Sequence, residues 1–331
     1  MSAGPRVFVS RMIPEAGLER IRQRCTVEVW PERLPPPAEV FREKIRECVG
    51  IISLLTDRVD ANLMDAAPNL RMISNFAVGV NNVDLVAATA RGIAVGNIPG
   101  VLTDATADIA VTLMLAAARR LGESMIDARE GRWLTWEPTG WLGQDIGGRT
   151  LGIVGMGRIG LATAKRLHHG WGMNVVYTSR TPKPEIDREL NARRVELDEL
   201  LATSDFVSVH ADLNETTRGL FGIERFRQMK PTAVFVNTSR GPLVDQDALV
   251  EALKTGMIFS AGLDVTEPEP LPMTHPLYRL PNCVIAPHIA SATVHTRNEM
   301  ARICAENLIA GVFGDKLTAC ANPDVEPTRR R

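Results

Sequence analysis

The stretch Leu151-Gly-Ile-Val-Gly155-Met-Gly157-Arg-Ile-Gly160 decides the fold of this 331-residue chain. A short apolar run leads into the triplet G-x-G-x-x-G, and apolar residues with helical spacing continue after it. Between a strand and a helix, Gly155 allows a tight turn, Gly157 a close approach of the backbone to a pyrophosphate, and Gly160 close helix–strand packing. The free N–H groups at the start of that helix favour the negative charge. The stretch therefore predicts a parallel α/β sheet that binds a dinucleotide.

The same alternation of apolar runs and helical patterns extends in both directions from the glycine triplet. Strands separated by helices are typical of βαβ units and parallel sheets, and 331 residues are too many for a single core. We therefore predict an α/β protein with two Rossmann-like, doubly wound parallel-sheet domains. The predicted strands are Val7–Ser10, Thr26–Val29, Gly50–Leu55, Leu70–Ser74, Leu151–Val154, Val175–Thr178, Phe206–Val209, Ala233–Val236, Ile258–Leu263 and Val284–Ala286, and a last helix runs from Thr293 to about Phe313.

One predicted helix differs from the others in being apolar on most of its faces. It begins at Thr103, after an N-cap signal, and runs to about Arg129. A helix of this composition is either central to a domain or part of a subunit interface. Trp133, Trp136 and Trp141 follow in a loop punctuated by Gly and Pro, and they form either an interface anchor or a small satellite core.

Composition and charge exclude several classes of protein. With 38 basic and 39 acidic residues the net charge is −1, which provides no footprint for nucleic acid. No apolar run approaches the ~20 residues of a membrane span, and the N-terminus lacks the apolar segment of a signal peptide. The five cysteines are scattered without a C-x-x-C pair, which predicts reduced thiols, no metal site and a cytoplasmic location. We expect the terminal cluster Arg329–Arg331 to be solvated.

The segment Ser179-Arg180-Thr181 bears on which dinucleotide is bound. It ends a predicted strand 19 residues after Gly160, where a site for NAD has an acidic residue that accepts from the ribose 2′-OH. No acid is present in this segment. Arg180 can clamp a 2′-phosphate, and Ser179 and Thr181 can donate to it, which favours NADP(H). Alternatively, Arg180 stacks on the adenine.

Three charged residues, Arg240, Glu269 and His288, stand at or just after the ends of predicted strands, where ligands of open α/β sheets bind. Reduction of a 2-oxo acid needs a cation that holds the carboxylate and polarises the carbonyl, a general acid, and a carboxylate that favours the protonated form of that acid. The residue types alone also allow a surface ion pair for Arg240, a solvated turn for Glu269 and a core histidine for His288. His210, which ends another strand, could line the cofactor groove.

Taken together, these segments resemble the D-2-hydroxyacid dehydrogenase family, and within it the glyoxylate and hydroxypyruvate reductases. The resemblance extends from about Val7 to Leu317. It is carried by Asn75–Asp84, Gly100–Asp108, Gly155–Gly160, Ser179–Thr181, Asn237–Gly241, Gly262–Asp264 with Glu269-Pro270, and Pro287–Thr293. The matching family residues imply that Arg240 orients the substrate, Glu269 supports the histidine and His288 donates the proton.

The resemblance also implies how the chain is divided. A discontinuous, flavodoxin-like substrate domain is expected from residues 1–99 and 289–331, with a dinucleotide-binding domain of residues 100–288 inserted in it. The active site is expected in the cleft between the domains, with hinge closure excluding water. The segment 103–145 is similar to the dimerisation arm of the family, which implies a homodimer.

Further site residues follow from the resemblance alone. Backbone N–H groups of Val78 and Gly79 are expected to bind the substrate carboxylate, with Leu55 beside the substrate and Trp141 reaching the site of the partner subunit. The expected cofactor contacts, besides the glycines, are Met156, Arg158, Ile159, Ser179, Arg180, Thr181, Thr238, Ser239, Asp264 and Ala290. Asp212 stands where the family usually has Pro, and Ala290 where Gly is common, which leaves the nicotinamide geometry open.

The implied activity is the reduction of glyoxylate to glycolate and of hydroxypyruvate to D-glycerate by hydride transfer from NADPH, with NADH as an alternative. A second enzyme alternative is a reductase of 2-ketogluconate or another 2-oxo acid that uses the same three residues. The non-enzyme alternative is a cofactor-sensing interaction protein similar to corepressors among the relatives. The complete set of three charged residues argues against it.

Overall fold

The computed structural model describes residues 4–330, which divide into two compact units. The first unit contains the residues up to Leu102 and those from Ala292 onward, and the second contains Thr103–Ser291. Each unit is an α/β domain with one all-parallel sheet, which confirms the predicted fold class. Residues 1–3 and Arg331, which belong to the predicted substrate domain and arginine cluster, lie outside the described residues.

Five short strands form the sheet of the first unit. Their hydrogen-bonded order, β2-β1-β3-β4-β5, is the flavodoxin-like order. Because helices cover both faces of such a sheet, its strands are continuous apolar runs such as Gly50-Ile-Ile-Ser53. The elements are β1 (Arg6–Val9), α1 (Glu15–Arg22), β2 (Thr26–Val29), α2 (Ala38–Ile45), β3 (Gly50–Ser53), α3 (Ala61–Asp65), β4 (Met72–Asn75), α4 (Leu85–Ala90) and β5 (Ala94–Gly96).

The second unit is built around seven strands. Their order, β12-β11-β10-β9-β6-β7-β8, has the Rossmann arrangement about β6, and the strand order reverses between β6 and β9. Ligands of such sheets bind beyond the carboxyl ends of the strands at this reversal point. The elements are β6 (Thr150–Val154), α7 (Arg158–Trp171), β7 (Asn174–Thr178), α8 (Pro184–Leu190), β8 (Arg193–Arg194), α9 (Leu197–Thr203), β9 (Phe206–Val209), α10 (Ile223–Gln228), β10 (Val234–Asn237), α11 (Gln246–Thr255), β11 (Ser260–Leu263) and β12 (Cys283–Ile285), preceded by α5 (Thr103–Ala118) and α6 (Leu121–Arg129).

The apolar segment predicted as one helix forms the two helices α5 and α6. Arg120, between them, has a φ of 52°, and a left-handed residue of this kind interrupts helical hydrogen bonding. α5 is central: it packs against α7, β10 and β11, and the Ser260 hydroxyl donates to Ala117 O at 3.0 Å. The surface that α5 buries within its own unit is not free for a partner.

The helix α12 (Val294–Phe313) follows the second unit in the chain and covers the sheet of the first unit. It packs against α1 and lies over β3, β4 and β5, where Met300 and Leu308 join the apolar core. The approach to α1 depends on a small residue, because a Cβ added to Gly17 would lie 2.5 Å from the backbone oxygen of Ala301. The first unit is therefore complete only when the last helix is in place.

The C-terminal arginines differ from the sequence prediction. The Arg329 side chain is 4% exposed, and it donates to the carbonyl of Ala310 in α12. Arg330 donates through Nη1 to the carbonyls of Pro68 and Leu70. The prediction that these two residues are solvated is wrong, because carbonyl groups at a helix end and in a loop accept from them.

Three further observations concern residues 4–330 as a whole. None of the helices in this range is long and apolar enough to cross a membrane. All five cysteines are free. No group of three or more His, Cys, Asp or Glu side chains in the described range could hold a metal ion.

Replacing Gly17 by Ala tests the packing of α1 on α12. The new Cβ would overlap the backbone of Ala301, so we expect the free energy of unfolding to fall by about 1–3 kcal/mol. Gly170→Ala in α7 is the control, because nothing lies within 4 Å of its added Cβ. There we expect a gain of about 0.5–1 kcal/mol from reduced backbone freedom. Chemical denaturation measures both, and equal effects would contradict the packing described for Gly17.

Candidate active site

The glycine loop lies at the carboxyl end of β6, where the strand order reverses. Gly155 has a φ of 99°, and an added Cβ would lie 2.7 Å from backbone atoms of His210 and Ala211. At Gly160 an added Cβ would lie 2.3 Å from the oxygen of Gly155. The helix α7 can therefore approach the strand this closely only because residue 160 has no Cβ. At Gly157 nothing lies within 4 Å of the added Cβ. Gly155 therefore fits a tight turn, Gly160 fits close helix–strand packing, and Gly157 leaves open space for a ligand.

The residues around this loop fit a nicotinamide dinucleotide. α7 begins at Arg158 without a side-chain cap, which leaves N–H groups of its first turn to bind an anion. Thr238 follows β10 at the same edge, and its Oγ1 is buried without a hydrogen-bond partner among the described residues. Because buried polar groups usually form a hydrogen bond, a hydroxyl of this kind is expected to bind a ligand or an ordered water. Met156 can contribute only its backbone, because its side chain is packed in the core.

A histidine–carboxylate pair lies beyond the carboxyl ends of β11 and β12. Nδ1 of His288 is 2.8 Å from Oε2 of Glu269, and the two side chains are 26% and 28% exposed. Oε1 of Glu269 accepts from the Thr266 N–H at 3.1 Å, which fixes the carboxylate. Because Glu269 engages Nδ1, the ring nitrogen left for a ligand is Nε2, which has no partner within residues 4–330.

The charge state of Glu269 follows from its surroundings. Burial alone would raise the pKa of its carboxyl, but the hydrogen bond and the charge of His288, the Thr266 N–H and Arg240 outweigh burial and lower that pKa. Glu269 is therefore a carboxylate near neutral pH. A carboxylate in this position orients the imidazole.

The backbone that carries His288 is held by a buried carboxylate. Asp264 follows β11, is 1% exposed, and accepts from the Ile289 N–H at 2.8 Å and the Ala290 N–H at 2.9 Å. The His288 N–H donates to the Asp264 carbonyl at 3.0 Å. His288 has a φ of 54°, which is uncommon for a residue with a Cβ and persists only where the surroundings impose it. Burial raises the pKa of Asp264, against the opposing effect of the two N–H groups.

Arg240 follows β10 in a loop that closely approaches the loop after β11. A Cβ on Gly241 would lie 1.9 Å from the oxygen of Thr266, so only glycine permits this approach. Asn237 holds the turn, since its Nδ2 donates to Arg240 O at 2.9 Å and its Oδ1 accepts from the Ser239 N–H at 3.0 Å. The loop thereby brings Arg240 to the edge of the sheet that carries the histidine–carboxylate pair.

The electrostatic surroundings of Arg240 include two carboxylates. Burial lowers the pKa of its guanidinium, whereas the charges of Glu269 and Asp212 raise it. Asp212 is thus an electrostatic neighbour of the arginine. His210, at the end of β9, lies with Nε2 2.9 Å from the Ser208 hydroxyl, and burial lowers its pKa to about 4, so it is neutral.

In the first unit, the loop after β4 carries three consecutive backbone N–H groups without partners. Val78, Gly79 and Val80 donate to no group within residues 4–330, whereas the first two carbonyls are held. Asn97 Nδ2 donates to Val78 O at 2.8 Å, and Asn75 Nδ2 donates to Gly79 O at 2.9 Å. Because a trans peptide directs its N–H away from its C=O, these bonds orient the N–H groups of Gly79 and Val80, and the bond from the Ile98 N–H to Ala77 O at 3.0 Å orients that of Val78. Consecutive free N–H groups bind anions.

The apolar residues predicted beside the substrate are partly exposed. Leu55 after β3 is 39% exposed, and Trp141 is 41% exposed with the Arg120 guanidinium 5.0 Å from its ring centroid. Trp133 and Trp136 are 74% and 80% exposed, so the three tryptophans do not form the small satellite core that was one of the two alternatives.

The segment after β7 forms a tight turn. The Ser179 hydroxyl donates to Thr181 O at 2.6 Å, and Arg180 is exposed with no ion-pair partner in the described chain. No acidic residue follows β7 before Glu185. This end of the sheet therefore carries uncompensated positive charge beside the glycine loop.

The fold and the site together define a class, the nicotinamide-dependent oxidoreductases. Residues 111–290 match the family model described as D-isomer specific 2-hydroxyacid dehydrogenase, NAD binding domain. The chain is 49% identical over 326 residues to the glyoxylate reductase of Korarchaeum cryptofilum, covering 98% of each chain. It is 47% identical over 325 residues to that of Thermococcus litoralis, covering 97% of this chain and 98% of the other. The chain belongs to the D-isomer specific 2-hydroxyacid dehydrogenase family.

Solved structures agree with this assignment. A protein of Thermus thermophilus is 48% identical with a TM-score of 0.90, covering 96% of this chain and 99% of that one. The NADPH-dependent glyoxylate/hydroxypyruvate reductase of Sinorhizobium meliloti, solved in complex with NADP and malonate, is 34% identical with a TM-score of 0.86, covering 99% of both chains. The predictions of an enzyme and of this family are confirmed: the protein is a 2-hydroxyacid oxidoreductase with a nicotinamide cofactor.

Two alanine substitutions in the glycine loop separate stability from cofactor binding. Gly160→Ala places a Cβ against Gly155 O, so we expect a loss of about 1–3 kcal/mol in unfolding free energy. Gly157→Ala meets no protein atom, so stability should be unchanged while dinucleotide affinity falls at least ~10-fold, because the Cβ occupies the space of the pyrophosphate. Thermal unfolding and calorimetric titration measure the two effects. Wild-type affinity in Gly157→Ala would contradict the role given to that space.

Proposed function

We propose that the protein reduces small 2-oxo acids, glyoxylate to glycolate and hydroxypyruvate to D-glycerate, with NADPH as the preferred cofactor. The observation that carries this proposal is the His288–Glu269 pair, with Nδ1 engaged at 2.8 Å and Nε2 without a partner within residues 4–330. A ring nitrogen held in this way suits proton donation to a developing alkoxide. The relatives named glyoxylate reductase support the choice of substrate.

Each of the three charged residues has a distinct task in the proposed reaction. A bound reduced nicotinamide supplies the hydride that reaches the carbonyl carbon of the substrate. His288 donates the proton from Nε2 to the carbonyl oxygen, and Glu269 stabilises the imidazolium before the transfer. Arg240 holds the substrate and stabilises the negative charge that develops on the oxygen. Asp264 positions His288 through the backbone.

The carboxylate of the substrate is assigned to the loop after β4. We propose that it binds the backbone N–H groups of Val78 and Gly79, which have no other partner in the described chain. The Ile98 N–H donates to Ala77 O at 3.0 Å, and Asn97 donates to Val78 O. Because each of these carbonyls shares a peptide with the next N–H group, the two bonds keep the Val78 and Gly79 N–H groups oriented before the substrate arrives. Leu55, together with Trp141 reaching the site of the partner subunit, is proposed to limit the size of the substrate. A larger space there would favour the second candidate, a 2-ketogluconate reductase.

The preference for NADPH over NADH rests on the turn after β7. Arg180 is exposed without an ion-pair partner within residues 4–330, and no carboxylate precedes Glu185 to repel a 2′-phosphate. The relative from Sinorhizobium meliloti, described as NADPH-dependent, supports the same preference.

A cytoplasmic location, where thiols stay reduced, suits the five free cysteines.

Replacing His288 by Ala tests the proposed proton donor. We expect kcat for glyoxylate to fall about 10²–10⁴-fold with the cofactor Kd unchanged, since the lost group acts only on the reacting oxygen. His169→Ala, an exposed histidine at the end of α7, is the control and should keep wild-type rates. Activity is measured with glyoxylate, hydroxypyruvate, 2-ketogluconate and pyruvate. An undiminished rate in His288→Ala would falsify the mechanism. If the wild-type protein prefers 2-ketogluconate, the proposed substrates, glyoxylate and hydroxypyruvate, would be wrong.

We also propose a homodimer that forms through residues 121–142. Eight of the 18 exposed large apolar side chains in the described chain fall in this segment, among them Trp133, Leu134 and Trp136, which are 74%, 88% and 80% exposed. Exposed apolar surface concentrated in this way is typical of an interface between subunits. A second copy of the chain is the occupant because this segment lies within residues 103–145, which are similar to the dimerisation arm of the family.

The dimer is tested by changing one tryptophan of the segment. In Trp136→Ser we expect the dimer Kd to rise about 10-fold or more, because large aromatic side chains dominate such interfaces. Trp171→Ser, a partly exposed tryptophan at the end of α7, is the matched control. Sedimentation velocity over a range of concentrations measures the association. A wild-type monomer at all concentrations, or equal effects of the two variants, would contradict the proposal.

A further inference from the structure

The edge strand β8 brings a second arginine to the turn after β7. β8 consists only of Arg193 and Arg194, and its register places Arg194 opposite Tyr177, two residues before Ser179. Nε of Arg194 donates to the carbonyl of Ser179 at 3.0 Å. The guanidinium is therefore fixed beside the segment that begins the turn.

Only part of this guanidinium is used by the protein. The bond to Ser179 engages Nε, while both terminal nitrogens of Arg194 have no partner within residues 4–330. Its neighbour Arg193 differs, because Nη1 of Arg193 forms an ion pair with Glu199. Adjacent residues of a strand point to opposite faces of the sheet. Of the two arginines, Arg194 alone is thus oriented toward the turn with its charge uncompensated.

The turn itself is held in place before a ligand binds. Tyr177 is buried, and its hydroxyl donates to Asp187 Oδ1 at 2.7 Å and accepts from the Lys183 N–H at 3.2 Å. Burial raises the pKa of Tyr177 to about 12, so this hydroxyl keeps its proton. Together with the bond from the Ser179 hydroxyl to Thr181 O, these contacts close the loop that contains Arg180. A fixed loop presents its cations at little cost in entropy.

We propose that Arg194 is a specificity-determining residue that, with Arg180, binds the 2′-phosphate of the dinucleotide. The inference rests on the proposed use of NADPH and adds a second residue to it. A phosphate presents three acceptor oxygens, and the planar fork of a guanidinium matches two of them at once. Arg180 approaches from the turn and Arg194 from the edge strand, so the phosphate is held from two sides.

Arg194→Gln separates this role from a structural one. The Nε2 of glutamine occupies nearly the place of the arginine Nε, so the bond to Ser179 O is kept while the charge and the terminal nitrogens are removed. The matched control is Arg193→Gln, the same change on the same strand. Both are compared with Arg180→Ala in the full chain.

The direct measurement is calorimetric binding of adenosine 2′,5′-bisphosphate and of 5′-AMP, two ligands that differ only in the 2′-phosphate. We expect Arg194→Gln to weaken binding of the bisphosphate about 10- to 100-fold and to change binding of 5′-AMP less than about 2-fold. Arg193→Gln should leave both unchanged. The ratio of kcat/KM for NADPH to that for NADH should fall in parallel for Arg194→Gln.

Each other outcome overturns the inference in a recognisable way. Equal weakening of both ligands would show that Arg194 only supports the turn, and unchanged binding of both would show that it does not contact the phosphate. In either case the preference for NADPH would stand if wild type still favours the bisphosphate. A wild-type protein that binds the two ligands equally would overturn the cofactor preference and the role of Arg194 together. The proposed reduction of glyoxylate would not be affected by that result, because it is tested by the activity of His288→Ala.

Discussion

The site depends on the hydrogen bonds that the buried Asp264 carboxylate accepts from the Ile289 and Ala290 N–H groups. They join the end of β11 to the loop after β12, so two neighbouring strands act as one support. Without that support, His288 would relax from its left-handed conformation, and its ring would lose the geometry in which Glu269 engages Nδ1. A carboxylate that acts through backbone hydrogen bonds thus decides which ring nitrogen is presented.

Parallel pairing of all seven strands has a second consequence for the chemistry. It brings every carboxyl end to the same edge, so Gly155, Arg240, Glu269 and His288 meet although the chain separates them widely. Close approach then sets the spacing, because Gly160 and Gly241 let backbone segments come nearer than any Cβ would allow. Burial lowers the pKa of the Arg240 guanidinium, and the charges of the nearby carboxylates oppose that shift in part. The edge therefore holds opposite charges close together in a partly buried setting.

Much of this could be predicted from the sequence, because strands buried on both faces are apolar runs and functional residues follow them directly. The predicted strand Phe206–Val209 has the same bounds as β9, and the glycine triplet fits its three tasks. β8 could not be predicted, since an edge strand of two arginines has no apolar period. The interruption of the helix at Arg120 was not predicted, because the residues on both sides of it favour a helix. The burial of the Thr238 hydroxyl and the docking of Arg329 on Ala310 depend on tertiary contacts, which local patterns do not encode.

The return of α12 to the first unit has a consequence for synthesis on the ribosome. The 189 residues of Thr103–Ser291 are translated between the two parts of the first unit. At about 5–20 residues per second this interval lasts roughly 10–40 seconds, during which one face of the first sheet lacks its covering helix. The inserted unit can complete its fold in that time, because all of its strands are contiguous in sequence. The inserted unit can therefore finish folding before the first unit, although the first unit begins to emerge earlier.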